Sequence, residues 1–401
     1  MTDRPVMAEI SPASADLLLA VARSVLTAND LARARHAIAA IDDWTPVIET
    51  ALAQGIAGML CHHVLACGQD LLPGEIADAA ETYTRFGTTE YARAVRELRG
   101  LIDALAVAGV RAVPYKGPMV AALCYAEPAI RGCRDLDFLI DKRDIPETMA
   151  VLGRLGYRSM QAELSAKQTQ AYFAYNGQDT LIADGLMPVE PHWALGPRTL
   201  HADAGTEALF RRAGTVVHYG REIPSFSRED TMLICGLHGS KEEWSRLVWI
   251  ADIAELLRSD TPCDWTSMLD RADRAGVRRM VTIGVGLARR LLDAPVPAEL
   301  ARAIASDPMS GRLAEEAAGR LFTRRGITPS VHRPTRFRFL MRERLRDRLR
   351  YAAATLFTAR VQHFRFLDLP AGLGFLYPFV RIGHDYLALP LWRLAHARRG
   401  R

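Results

Sequence analysis

Two aspartates one residue apart, Asp135 and Asp137, lie in RDLDFLID (134–141), whose apolar residues predict a β-strand. Alternate residues of a strand point to one face, so the two carboxylates stand side by side. Like charges this close raise each other's pKa unless a cation sits between them. Mg²⁺ is the economical choice, with Mn²⁺ as the alternative, because a hard ion takes carboxylate and phosphate oxygens together. Upstream, Lys116-Gly117 reads as a turn into a short helix, GPMVAALCY. Glycine there lets backbone approach a ligand, and the helix start turns its N–H groups toward an anion. Lys116, Arg131 and Arg134 add positive charge suited to a triphosphate.

A pair of acids holding metal usually has a third on a neighbouring strand. Glu190 in MPVEPHW is the best candidate, and by strand parity His192 shares its face, where it could orient the acid or touch the acceptor. Pro191 between them removes a ladder hydrogen bond, which predicts an edge strand or a bulge. The HGSKEEW segment offers His238 for the rim of the cleft, reading base or acceptor, although a lone His and a Trp on an amphipathic helix are more often packing residues, the role read for Trp244. The adjacent His62 and His63 diverge by about 100° on a helix, which excludes easy chelation of one ion. In this order, turn, short helix, arginines, paired acids and a later acid describe metal-assisted phosphoryl or nucleotidyl transfer, which needs charge neutralisation more than covalent help.

These residues must be held by a small sheet. VRAVPYK (110–116), the DxD segment, TLIAD and MPVEPHWAL predict strands, the last two joined at Asp184-Gly185 by a tight turn. DIPETMAVLGRLGY (144–157) predicts a helix with Asp144 as its cap. The fold class is α+β: a small mixed sheet flanked by N- and C-terminal helical regions, mostly helical overall. The expected division is a helical region over 1–95, an α/β core over 96–225, a helical bundle over 226–330 and an Arg-rich segment over 331–401. The pattern from Glu75 to Ala108 predicts two adjoining helices or one continuous one. EEWSRLVWIADIAELLRS predicts an amphipathic helix with Trp244, Leu247, Val248, Ile250 and Ala251 on one face. No GxGxxG or GxxxxGK[ST] occurs, which argues against dinucleotide-binding and P-loop folds.

The six cysteines (61, 67, 124, 133, 235, 263) form no CxxC pair, and neither a leader-like start nor a long uncharged apolar run is present. A cytoplasmic protein is the expectation. The net charge of +5 is unevenly distributed: 15 Arg against 4 acids over 331–401 give +11, which leaves −6 for the rest. That segment is a candidate surface for an anionic partner such as RNA or lipid, or else a solvated helix face.

KGPMVAALCYAEPAIRGCRDLDFLI resembles the signature of an uncharacterised bacterial nucleotidyltransferase family within the polymerase-β-type superfamily. VEPHWAL and FSREDTMLICGLHGSKEEWSRLVWIADIAELL are similar to its later segments, and the likeness spans about residues 95–290. The resemblance implies a small mixed sheet, Mg²⁺ and an NTP donor. It matches Asp135 and Asp137 to the paired metal ligands, Glu190 to the third acid, Lys116-Gly117 to the phosphate turn and Arg131 to the arginine before the acids. The wider superfamily carries Gly-Ser at that turn, with a shorter gap to the acids. The expected reaction moves an NMP group to a hydroxyl or phosphate of a sugar, small molecule, peptide, protein or tRNA. A catalytically silent nucleotide-binding protein of the same fold is the alternative, as is an RNA or membrane-surface binder acting through the Arg-rich segment.

Overall fold

The computed structural model describes residues 10–197, 199–200, 205–323 and 334–389. Four short helices come first: α1 (Pro12–Val21), α2 (Ala28–Ala39), α3 (Thr45–Gln54) and α4 (Ala57–Gly68). Their starts are written in the sequence, since the Ser11 hydroxyl accepts from the Ser14 N–H and Thr27 with Asp30 forms a reciprocal capping box. Gly74–Val107 is one continuous helix, α5, of 34 residues and so about 50 Å long. Its C-terminal half buries Tyr91, Ala94, Val95, Leu98, Leu101, Ile102 and Leu105 at helical spacing. The boundary expected at 95/96 falls inside this helix, which runs from the helical region directly into the sheet.

The sheet is mixed, with strand order β1 (Ala112–Pro114), β2 (Leu136–Ile140), β5 (Val189–His192), β4 (Leu181–Ile182) and β3 (Arg158–Ser159). Strand β2 runs antiparallel to β1 and parallel to β5. The helices α6 (Gly117–Cys124), α7 (Ile145–Arg154) and α8 (Ala166–Tyr175) are threaded between strands. Asp144 stands at the start of α7 without a side-chain cap bond, and it is Asp141 that caps the preceding turn. The connection at Asp184-Gly185 is six residues (183–188), longer than a two-residue hairpin turn. Strand β5 is central, contrary to the edge position expected from Pro191. Extending the β4–β5 register (Leu181↔Val189, Gln178↔His192) sets Pro191 opposite Asp179. There the proline carbonyl still accepts the Asp179 N–H at 3.2 Å, and only the return bond is lost. The missing donor thus falls on the thin β4 side, and the β2 ladder stays whole.

Beyond the sheet come α9 (Thr206–Arg212), a separate hairpin of β6 (Gly214–His218) and β7 (Arg221–Ser225), then α10 (Arg228–Lys241), capped by Ser227, and α11 (Leu247–Arg258). Trp244 lies in the turn between α10 and α11 rather than on a helix face, and both Glu243 and Trp244 have φ 54°. Its indole fills the space left by Gly239 and Gly284, where a Cβ would come within 2.4 Å of the ring. That makes it a packing residue. The bundle continues with α12 (Trp265–Ala275), α13 (Arg278–Leu292), α14 (Ala298–Ala305) and α15 (Pro308–Arg320).

The C-terminal segment holds α16 (Arg336–Leu340), α17 (Leu345–Phe357), α18 (Val361–Phe366) and α19 (Tyr377–Gly383). The boundary expected at 330/331 lies outside the described residues. One apolar core runs from Leu17 to Met341 and takes Leu136, Phe138 and Ile140 from one face of β2. The other face gives Leu139 to a smaller cluster with Val113, Tyr115, Phe210, Phe226 and Ile234. The strand is buried on both faces, and Asp137 is the charged interruption. Among the described residues no helix is long and apolar enough to cross a membrane.

Candidate active site

The parallel pairing of β2 with β5 aligns Asp137 with Glu190 and Leu139 with His192. All three polar side chains therefore emerge on one face, and one ligand atom of each lies within 4.8 Å of the others. Asp137 is only 4% exposed, and its Oδ1 accepts from Lys116 Nζ at 2.8 Å and lies 2.7 Å from His192 Nε2. Burial pushes the Asp137 carboxyl up, but Lys116 and His192 together hold it well below the usual carboxylate range. Burial lowers Lys116, yet Asp137, Tyr115 and Glu190 outweigh this and raise it.

Glu190 is oriented by neighbours that the sequence reading missed: Thr180 Oγ1 donates to Oε1 at 2.9 Å and Gln178 Nε2 to Oε2 at 2.7 Å. Gln178 and Thr180 are two residues apart in an extended segment, a parity signal available in the sequence. Each carboxylate oxygen keeps a second lone pair. Burial raises Glu190, but His192 brings it below its ordinary value.

Asp135 stands just before β2 and faces the cleft, and among the described residues its carboxylate makes no ion pair or hydrogen bond. Burial, with Asp137 and Glu190 close by, pushes it up to about 6. Asp137 and Glu190 come within ligand distance of one another together with His192, and Asp135 lines the same opening outside that group; carboxylate oxygens of this kind suit a hard divalent cation. On the far side of this cluster, His192 Nδ1 and Tyr115 Oη are buried without partners among the described residues.

Lys116 has φ 59° and ψ −162°, a region that residues with a side chain rarely enter, at a cost of about 1–3 kcal/mol. This conformation turns the chain from β1 into α6. Gly117 (φ 36°) then brings the helix start against the chain before β2, where a Cβ would lie 3.5 Å from the Asp135 carbonyl oxygen. The phosphate turn expected at Lys116-Gly117 is thus physically joined to the acids.

The acids open on a cleft of about 690 Å³. One wall is α5, with Tyr83, Phe86, Gly87 and Glu90; the opposite wall is α10 and α11, with His238, Lys241 and Trp249. His238 lies at the cleft, with its ring edge-on to Trp249 at 5.1 Å. Burial, then Lys116 and Lys241, push it well below its ordinary value. Burial and Lys116 also lower Lys241. Lys116, His238 and Lys241 therefore form a nitrogen-rich pole whose members disfavour one another's charge. Lys241 was legible in principle, one turn beyond His238 on the same helix.

Two expected phosphate contacts have other partners. Arg131 is held bidentately by Asp252 on α11, at 2.9 and 2.7 Å, and Tyr125 Oη donates to the same carboxylate at 3.0 Å. Arg131 lines the cleft but serves first to clamp the loop before β2 onto α11. Nothing in the sequence pairs two residues 121 apart. Arg134 is exposed at the mouth and donates to the Leu52 carbonyl at 3.3 Å. His63 is a structural residue, as expected: its Nε2 lies 2.8 Å from the Arg23 carbonyl, and burial lowers it to about 4.

Residues 41–293, well over half of the chain, match the model of a family described as Uncharacterised nucleotidyltransferase. The chain belongs to that family. The match covers the sheet, the acids and both helical walls of the cleft, so the nucleotidyltransferase assignment and the site geometry concern the same part of the molecule. No curated protein matches the chain.

Proposed function

We propose that the chain is a metal-dependent nucleotidyltransferase that moves an NMP group from an NTP to a hydroxyl or phosphate acceptor. The observation that carries this reading is the in-register pair Asp137 and Glu190, with unpaired Asp135 beside them, facing a pole of Lys116, His238 and Lys241. Asp135, Asp137 and Glu190 would hold Mg²⁺ or Mn²⁺. When bound, such an ion would neutralise charge on the phosphates. Lys116, Lys241 and the α6 start supply donors for the triphosphate, and His238 adds a hydrogen-bonding group. Glu190, fixed by Thr180 and Gln178, is suited to accept the acceptor's proton. The acceptor oxygen then bonds to the α-phosphorus, the bond from that phosphorus to the bridging oxygen breaks, and pyrophosphate leaves. The cleft volume is of the size that encloses a nucleotide-sized ligand, and Tyr83, Phe86 and Trp249 offer planar surfaces to a ring.

A binding-only reading has one specific support: Asp137 is held by Lys116 and His192, and Arg131 is committed to Asp252. NTPs labelled at the α-phosphate, incubated with Mg²⁺ or Mn²⁺ and panels of sugars, peptides and tRNA, separate the two. Label appearing on an acceptor with stoichiometric pyrophosphate supports transfer. Tight metal-dependent NTP binding with no label on any acceptor and no turnover of the NTP supports the silent protein, and conversion of the labelled NTP to labelled NDP, which reports γ-phosphate transfer, contradicts both.

A further inference from the structure

Helix α17 is inverted with respect to polarity. It buries Asp347, Tyr351 and Thr355, spaced four residues apart, so its polar side faces the protein. Asp347 packs over Gly276, and Tyr351 lies under the Arg342 guanidinium, 4.0 Å from the ring centroid. The outward side carries Leu345 (67% exposed), Leu349 (61%), Leu356 (45%) and Phe357 (44%), with Ala352 and Ala353 between them. Leu345, Leu349 and Leu356 follow i, i+4, i+11, a single helical stripe. Arg346 and Arg350 stand beside it with side chains 61% and 60% exposed. Phe379 on α19, which packs against α17, is 65% exposed, and Phe366 on α18 is 56% exposed. Solvated helices place such residues the other way round, and a contiguous apolar face this exposed marks a contact surface.

The charges decide among possible occupants. Asp347, the one acid of α17, is turned inward and lies 3.7 Å from Arg346 and 3.6 Å from Arg350, so no acid of the helix is exposed and its outward face is apolar with a net positive edge. A second copy of the chain would set arginine against arginine across a two-fold axis. Nucleic acid would use the arginines and leave the leucines in water. An anionic bilayer takes both, with apolar side chains at the headgroup–acyl boundary and guanidinium groups on lipid phosphates. We propose that the outward face of α17, with α18 and α19 beside it, docks the protein on an anionic lipid surface.

Flotation of the full-length protein with vesicles tests this. Wild type is expected to bind phosphatidylserine-containing vesicles about tenfold or more better than pure phosphatidylcholine, and less well as salt rises. R346Q/R350Q should weaken binding about tenfold, with a small drop in melting temperature because Asp347 loses both ion-pair partners, and L345E/L349E should abolish binding at the wild-type melting temperature because those leucines are exposed. If L345E/L349E fails to fold, R346Q/R350Q carries the test. Absence of wild-type binding to either vesicle overturns the proposal, as does undiminished binding by R346Q/R350Q. A wild-type dimer that L345E/L349E makes monomeric, without vesicle binding, assigns the face to a second copy and overturns it as well.

Discussion

Two His-carboxylate trios are drawn together among the described residues, and they differ in charge balance and in what they face. Asp137, Glu190 and His192 form the first; His363, His384 and Asp385 form the second, and in each the ligand atoms lie within 4.8 Å of one another. The first has two acids to one imidazole, a further unpaired acid in Asp135, and a large cleft before it. The second has one acid to two imidazoles and is flanked by Arg381, 3.5 Å from Asp385. Its hydrogen bonds are self-contained: the Arg360 N–H donates to His363 Nδ1 at 2.9 Å, so the ring proton sits on Nε2, 2.9 Å from Asp385. His363 therefore has no lone pair to offer an ion there. Proximity of ligand types is thus a weak signal; the balance of charge and the presence of an open volume are what distinguish the first trio from the second.

The largest expected contrast is catalytic. Asp137→Asn is predicted to lower kcat/KM by about a thousandfold or more, a barrier increase of about 4 kcal/mol, while Asp385→Asn leaves it within about threefold. Steady-state kinetics of both variants would break the comparison if the effects were similar. Next comes the nitrogen-rich pole. Lys241→Met should raise KM for NTP by about thirtyfold, with a smaller effect on kcat, and a kcat-only effect would remove Lys241 from donor binding.

The structural trio is expected to affect stability instead. Burial opposes ionisation of Asp385, but hydrogen bonds from His363 and His384 pull it down to about 2. A depressed carboxylate stabilises the fold above the unfolded value near 3.8 and loses that contribution as pH falls toward 2. Asp385→Asn should therefore cost at most about 2 kcal/mol at neutral pH, the upper bound for a pair partly screened by solvent, and the cost should shrink in acid, as measured by urea unfolding across pH. The smallest effect is thermal: Mg²⁺ or Mn²⁺ at about ten times its dissociation constant should stabilise wild type by about 1.4 kcal/mol. Calorimetry should find that shift retained in His384→Ala and absent in D135N/D137N.

Much of the donor half of the first trio was legible in the sequence. Strand parity alone paired Asp135 with Asp137 and Glu190 with His192, and the Lys116-Gly117 turn was readable from glycine chemistry. The position of β5 was not, because Pro191 argues for an edge until the register reveals that its missing donor faces a nearly unpaired strand. The partner of Arg131 was hidden for a different reason: Asp252 reaches it only through the packing of α11 on the loop before β2. The net charge of the C-terminal segment misled in part. Arg338, Arg342 and Arg381 are buried, and Arg342 donates to the Thr199 carbonyl at 2.7 Å, so only some of the arginines seen in the sequence face outward.

Pyrophosphate release from NTP by wild type and by D135N/D137N, with and without Mg²⁺, tests the central claim most directly. Release is predicted from wild type only with metal and an acceptor, and none above background from the double variant, which should remain folded at a lowered melting temperature because Lys116 loses its buried partner. Metal-dependent release that survives in D135N/D137N would contradict it.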